Sequence, residues 1–281
     1  MDLGRLVASF GGTAERSTLT ALGIPGSALT AAVRTGALIR VRRGCYSVPG
    51  AEAVLQAEIA WRGAATCVTA LRRLDLPVPR PDGTIHLTRR FHRSESGRNL
   101  SSPGHIRWHL LPSERLAGLT PAGALDESGR CLTRVDQLIA LDAALERRIL
   151  TLDDVRRFVT TPRRTREWLL RTADARTQSP PETLARVALH GAKIPFEFQA
   201  SQPGTGRVDF VIDGLFVVEV DGRSYHSGDA AFERDRARDR ATLLSGSVTM
   251  RYTAWDVINR PELMVAEIWT LLRMRRGLRD G

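Results

Sequence analysis

Lysine is nearly absent from this chain: Lys193 is the one lysine among 41 basic residues, and the rest are arginines. A P-loop needs a lysine directly after a glycine-rich turn, and Lys193 follows no such turn, so the sequence excludes kinase and NTPase functions. The GxSxG and HExxH motifs are also missing, which leaves serine hydrolases and zinc proteases without support.

Cysteine is similarly scarce, and Cys45, Cys67 and Cys131 lie far apart without forming a CxxC pair. This spacing favours reduced, mostly buried thiols over a disulfide framework or a zinc finger. His105 and His109 share one face of a predicted strand, but no third ligand is close in the sequence, so we do not expect a metal there.

Long apolar runs are missing too. None approaches the roughly 18 residues that span a bilayer, and the first residues hold no signal-peptide core. We therefore expect a cytoplasmic protein that does not associate with membranes, and the oligomeric state stays open.

Positive charge is abundant, with a net charge of +10. Residues 1–50 hold six arginines against two acids, whereas residues 181–281 hold fourteen basic and fourteen acidic residues. Such a balance favours a polyanionic partner, above all DNA, held by the first part of the chain.

Residues 1–50 predict a winged helix-turn-helix. Glycines and prolines separate three short helices at 3–10, 14–22 and 28–35, and an alternating segment after them predicts a hairpin wing. The candidate DNA contacts are Arg34 on the recognition helix and Arg40, Arg42 and Arg43 on the wing.

Residues 51–175 predict an α+β middle region, with a domain boundary near 175 because residues 160–181 are polar. Residues 176–281 predict an α/β domain, a central mixed sheet flanked by helices. The predicted elements of this domain are a helix (182–191), three strands (194–199, 207–212 and 215–221), a helix (229–245), a strand (247–252) and a helix (261–276).

The strands on either side of Asp213-Gly214 carry acids among apolar residues: Asp209 before the turn, and Glu219 and Asp221 after it. A buried carboxylate is costly unless it is paired with an arginine, as in a purely structural hairpin, or binds a cation. A two-residue turn would send Asp209 and Glu219 to opposite faces. A three-residue turn over 213–215 would place them directly opposite each other, where a divalent cation can bridge them.

The run VDF…VVEVDGRSYH, followed by ERDRARDRATLL and a strand ending in MRYT, resembles the PD-(D/E)xK nucleases. It closely resembles an uncharacterised family allied to very-short-patch repair endonucleases, over about residues 180–275. The resemblance implies a restriction-endonuclease-like fold that binds Mg²⁺ or Mn²⁺. The metal ligands that it implies are Asp209, Glu219 and the backbone carbonyl of Val220, and the further catalytic residues are Glu182, Asp221 and His226.

Two residues depart from the usual nuclease pattern. Asp221 stands where most PD-(D/E)xK enzymes carry lysine, and His226 matches the histidine that very-short-patch repair enzymes use. Each implied role has a plainer alternative, because Glu182 also suits a helix N-terminus and His226 a surface loop. The runs TGALIRVRRGCYSVPG and ATCVTALRRLDLP, within residues 1 to about 160, resemble the winged-helix domain of type IV abortive-infection antitoxins.

Two functions follow from these patterns. The first is a DNA-binding, metal-dependent endonuclease that hydrolyses phosphodiester bonds, in which Arg251 offsets phosphate charge where lysine is missing. The second is a non-enzymatic DNA-binding transcriptional regulator or antitoxin with a degenerate nuclease fold.

Overall fold

The computed structural model describes residues 2–78, 83–90, 105–111, 120–202, 206–221 and 246–279. Contacts within the backbone divide the chain into two compact units. The first unit comprises Met1–Leu132 and Asp154–Arg163, and the second comprises Thr133–Asp153 and Arg164–Gly281. The predicted mixed α/β class is confirmed, whereas the domain limits at 50 and 175 stay predictions. Within the described part of the chain, none of the helices has the length and apolar character needed to cross a bilayer.

The chain begins with small elements around a three-stranded antiparallel sheet of order β1-β3-β2. These elements are α1 (Leu3–Ser9), β1 (Thr13–Glu15), α2 (Arg16–Ala21), α3 (Gly26–Arg34), β2 (Ile39–Arg42) and β3 (Cys45–Ser47). Their apolar core includes Leu19, Leu29 and Leu38, all fully buried. The predicted helices and hairpin are therefore present.

The predicted helix 14–22 is wrong at its start. Thr13 and Ala14 are buried in strand β1, opposite Ser47 and Tyr46 of β3. The Thr13 and Ser47 hydroxyls are hydrogen-bonded to each other at 2.9 Å across the sheet. This contact favours a strand over a helix at Thr13 and Ala14. The helix α2 accordingly begins only at Arg16.

A second small sheet follows in the first unit, with β5 parallel to β6 and β4 antiparallel to β5. Its strands are β4 (Ala64–Ala65), β5 (Ile85–Arg90) and β6 (Ile106–Leu111). The helices of this part of the chain are α4 (Ala53–Trp61), α5 (Cys67–Arg73) and α6 (Pro121–Ser128). Helix α6 was not predicted; Thr120 caps it, with Pro121 in its first turn. Its Asp126 carboxylate accepts hydrogen bonds from the amides of residues 159–161, which fastens that returning segment.

The remaining elements belong to the second unit, except for residues 154–163, which fall in the first. They are α7 (Arg134–Glu146), α8 (Leu152–Arg156), α9 (Arg163–Thr172), α10 (Pro180–Gly191), β7 (Glu197–Gln202), β8 (Gly206–Ile212), β9 (Phe216–Asp221), β10 (Val248–Thr253), α11 (Ala254–Asn259) and α12 (Pro261–Arg279). The sheet order is β10-β9-β8-β7, in which β7, β8 and β9 are antiparallel and β10 is parallel to β9. The predicted mixed sheet is therefore present, while the predicted helix 229–245 lies outside the described residues.

One face of this sheet packs against α10, α11 and α12. Leu189, Phe210, Val218 and Ile268 are fully buried in the shared core. The polar segment 160–181, from which the boundary near 175 was predicted, contains helix α9, which was not predicted. Leu169 is buried on its apolar side, and so narrow an apolar stripe gives a weak helix signal in the sequence.

Candidate functional site

The β8–β9 hairpin brings two of the predicted acids opposite each other. Ile212 pairs with Phe216, so the turn consists of the three residues 213–215. The first two of these residues have φ angles of 51° and 64°, which Asp and Gly tolerate better than most residues do. The paired residues end at Phe210 and Val218, and continuing this register by one residue puts Asp209 across from Glu219. The structure therefore has the longer of the two turns considered from the sequence.

The carboxylate of Asp209 sits where strands β8 and β9 separate. The Val220 amide donates a hydrogen bond to Asp209 Oδ2 at 2.8 Å, and Gln199 Nε2 donates to Oδ1 at 3.1 Å. Burial raises the pKa of Asp209 to about 6, and the negative charges of Glu182 and Glu219 add to this effect. A carboxylate in such surroundings keeps its charge at lower pH only if a cation compensates it.

Glu182 lies in the first turn of α10 and is 6% exposed. The Ser179 hydroxyl donates to its Oε1 at 2.8 Å, and the Gln178 amide donates to its Oε2 at 3.0 Å. Gln199 Nε2 also donates to Oε2, at 2.8 Å, so one amide group links Glu182 to Asp209. Glu182 thus has the helix-start role that the plainer alternative expected, and it also belongs to the acid cluster (Glu182, Asp209 and Glu219).

Glu219 is paired with the arginine that was proposed as a phosphate contact. Arg251 lies opposite Glu219 on the neighbouring strand β10, with its Nε 3.1 Å from Glu219 Oε2. The Arg251 side chain is 38% exposed, so part of its guanidinium still faces solvent. Asp221 ends β9 opposite Thr253 and is exposed, whereas His226 lies outside the described residues.

The arginines predicted to contact DNA divide into two kinds. Arg34, Arg40 and Arg43 have exposed side chains. Arg42 is half-buried: its Nη2 donates to Glu15 at 3.0 Å, and its Nε donates to the Ala60 carbonyl. Arg42 therefore connects β2 to β1 and α4, which is a structural role that its sequence position did not reveal.

A second group of ionisable residues was missed from the sequence. Among the residues described, one set of three or more His, Cys, Asp or Glu side chains can share a single metal ion, and it is Cys67, His86, His109 and Cys131 in the first unit. Their ligand atoms all lie within 4.8 Å of one another. The acid cluster does not form such a set among these residues.

This Cys/His cluster (Cys67, His86, His109 and Cys131) contradicts the expectation that His109 has no further ligand nearby. His109 faces His86 from the neighbouring strand, with 3.0 Å between His86 Nδ1 and His109 Nε2. His105, its predicted companion, is exposed and takes no part. Cys45 and Cys67 are buried and Cys131 is half-buried, so the prediction of mostly buried thiols is confirmed.

The two thiols of the cluster influence each other's ionisation. Contact with the Cys67 thiol and with the His109 and His86 rings lowers the pKa of the Cys131 thiol well below its usual range. The same contact with Cys131, together with burial, raises the pKa of Cys67. One thiolate is thus already favoured among these four side chains.

The signal that could have identified the Cys/His cluster is weak. Its members are separated by about twenty residues each, without the close CxxC or HxxxH pairs by which zinc sites are usually found. Two histidines in neighbouring predicted strands were the available indication. A comparison with protein-family models finds no match to this chain, and a search of curated proteins finds none either.

Proposed function

We propose that this protein binds DNA and that its second unit hydrolyses DNA phosphodiester bonds with the help of a divalent metal ion. The observation that carries the proposal is the register of the β8–β9 hairpin: its last pair is Phe210 with Val218, and one further residue puts Asp209 across from Glu219. Glu182 reaches the same place from α10 through Gln199. Three carboxylates from three elements thus lie near one another, and a half-buried acid such as Asp209 is costly unless a cation or a reaction requires it.

The donor set fits Mg²⁺ or Mn²⁺, because both prefer carboxylate oxygens. Asp209 and Glu219 would hold the ion, together with the Val220 carbonyl that the family resemblance implies. When bound, such an ion polarises the scissile phosphate and lowers the pKa of a water ligand. Mg²⁺ and the PD-(D/E)xK assignment are part of this proposal.

Side chains of the protein would accept the proton and offset the charge on the phosphate. Gln199 holds Glu182 beside Asp209, so that the Glu182 carboxylate can accept a proton from the attacking water. Arg251 is held next to Glu219 and partly exposed, where it can offset charge on the phosphate in place of the missing lysine. His226 remains the other proposed base, and Asp221 its proposed partner.

The arginine-rich residues 1–50 are proposed to form a winged helix that binds DNA. Arg34, Arg40 and Arg43 are exposed there. Of these three, only Arg34 lies on the recognition helix, where it could contact base edges in the major groove. Binding through phosphates with modest sequence specificity is what this set of side chains supports.

A non-enzymatic DNA-binding regulator is the second candidate. It is favoured by the ion pair between Glu219 and Arg251, since an arginine here can replace the metal as the counter-charge of the acid. In that case the second unit would have a nuclease-like fold without activity, and the protein would bind DNA without cutting it.

The test is cleavage of supercoiled plasmid with Mg²⁺ or Mn²⁺ by wild type and by Asp209→Asn. Glu197→Gln is the matched control, because Glu197 is an exposed acid on the same sheet, on strand β7. The proposal expects cleavage by wild type and the control but not by Asp209→Asn. DNA binding without cleavage by any of the three would support the regulator instead.

A further inference from the structure

We propose that Cys67, His86, His109 and Cys131 bind one Zn²⁺ ion in a closed, structural site of the first unit. These residues come from four places in the chain: the start of α5, strand β5, strand β6 and the segment after α6. The ligand atoms that face one another are the two cysteine Sγ atoms, His86 Nδ1 and His109 Nε2.

The spacing of these atoms fits a tetrahedral zinc ion. Typical Zn–N and Zn–S bonds put tetrahedral ligands about 3.3 Å apart for two nitrogens and about 3.6 Å apart for nitrogen and sulfur. The two histidine nitrogens are 3.0 Å apart. Cys131 Sγ lies 3.7 Å from His86 Nδ1 and 3.8 Å from His109 Nε2. One ion therefore fits among them with only small shifts of the side chains.

The orientation of His109 is fixed as it is in zinc sites. Its outer nitrogen, Nδ1, lies 3.0 Å from Glu127 Oε2, so this nitrogen carries the hydrogen and Nε2 turns its lone pair towards the cluster. The Thr160 hydroxyl donates to Glu127 Oε1 at 2.7 Å and holds the carboxylate in place. Both the His109 and the Glu127 side chains are 3% exposed.

The chemistry of the donor set selects zinc over magnesium. Two thiolates and two imidazoles are soft ligands that suit tetrahedral Zn²⁺, whereas Mg²⁺ prefers oxygen donors in an octahedral arrangement. Four protein ligands leave no open position for a substrate, and Cys67, His86 and His109 are buried. The site is therefore structural and not catalytic.

The ion would also stabilise the backbone at Cys67. Cys67 has a φ angle of 51°, a conformation that a cysteine adopts at a cost and that ligation would compensate.

The experiment measures metal in the full-length chain, purified under reducing conditions without chelators. We expect one equivalent of zinc per chain by elemental mass spectrometry. Cobalt added to the chelated protein should give the intense visible absorption bands of tetrahedral, thiolate-bound Co²⁺. Cys131→Ser should lose both signals, and His105→Asn, an exposed histidine directly before the same strand as His109, should keep them.

A milder variant keeps the test informative if Cys131→Ser does not fold. Glu127→Gln weakens the support of His109 without removing a ligand, and should lower zinc affinity about 10–100-fold. The proposal is overturned if folded wild type contains no zinc and binds no cobalt. It is equally overturned if Cys67 and Cys131 are joined in a disulfide, or if Glu127→Gln binds zinc as tightly as wild type.

Discussion

Replacing Asp142 by alanine should cost the second unit about 3–5 kcal/mol of folding free energy, because the change leaves a buried guanidinium without its counter-charge. The Asp142 and Arg186 side chains are 1% and 3% exposed, and their charged atoms lie 2.5 Å apart. The Thr183 hydroxyl and the Asp174 amide also donate to the Asp142 carboxylate, at 2.8 and 2.9 Å. Helix α7 is thereby fastened to α10, one turn from Glu182.

The Asp142–Arg186 ion pair contributes little net free energy to folding, although removing one partner alone is costly. Burial raises the pKa of Asp142 to about 6 in spite of Arg186, so desolvation outweighs the attraction between the two charges. The native state therefore binds the extra proton between the usual pKa of 3.8 and about 6, and the contribution of this group to stability falls as the pH rises through that window. The double variant Asp142→Leu/Arg186→Met should accordingly keep most of the stability that Asp142→Ala loses.

Differential scanning calorimetry of the full chain at pH 7 is the assay. The loss in Asp142→Ala corresponds to a melting temperature lower by roughly 6–20 °C for the transition of the second unit. Glu146→Ala is the control, because Glu146 is exposed at the end of the same helix. A melting temperature for Asp142→Ala equal to that of Glu146→Ala would refute the reasoning. So would a double variant that is less stable than Asp142→Ala.

Three further predictions concern single side chains. A hydrogen bond from Arg62 lowers the pKa of Glu15 below its usual 4.5, so the stabilisation by this carboxylate is fully present above 4.5 and is lost as the pH falls through the folded pKa. Glu15→Gln should therefore lower the urea midpoint at pH 7 by more than it does in acid, below the folded pKa. Gln199→Met removes the amide that links two acids and should cost about 1–3 kcal/mol without a metal, with most of it restored by Mg²⁺ in a thermal melt. Arg40→Ala/Arg43→Ala should weaken DNA binding and reduce the slope of log affinity against log salt by about 0.9 for each phosphate that is no longer neutralised, which fluorescence anisotropy measures.

Local patterns predicted the four strands of the second unit and the helices α10 and α12, but not α9, α11 or the geometry of the hairpin turn. Alternating apolar residues around Asp213-Gly214 predicted the β8–β9 hairpin, and the described strands and helices follow the predicted order. Turns of two and three residues are both compatible with Asp-Gly. Tertiary packing, which the local sequence does not specify, selects between them. The position of Asp209 relative to Glu219 therefore had to come from the structure.

Long-range packing accounts for what was missed. The ligands of the Cys/His cluster are far apart in the sequence and meet only because β5 and β6 are parallel neighbours. Arg42 was assigned to DNA from its place on the wing, whereas its partners Glu15 and Ala60 lie on other elements. Gln199 carried no signal either, since a glutamine in a strand is ordinary until two carboxylates are found beside it.

The central claim is metal-dependent cleavage of DNA at the acid cluster, and the most direct measurement is the single-turnover rate of plasmid nicking with Mg²⁺ at saturating protein. Asp209→Asn has to be compared with wild type at equal DNA occupancy, so that a binding defect cannot be mistaken for a catalytic one. The account predicts nicking that chelator abolishes and that Asp209→Asn reduces by about 100-fold or more. Equal rates for wild type and Asp209→Asn, or no nicking by a wild type that binds DNA, would contradict it.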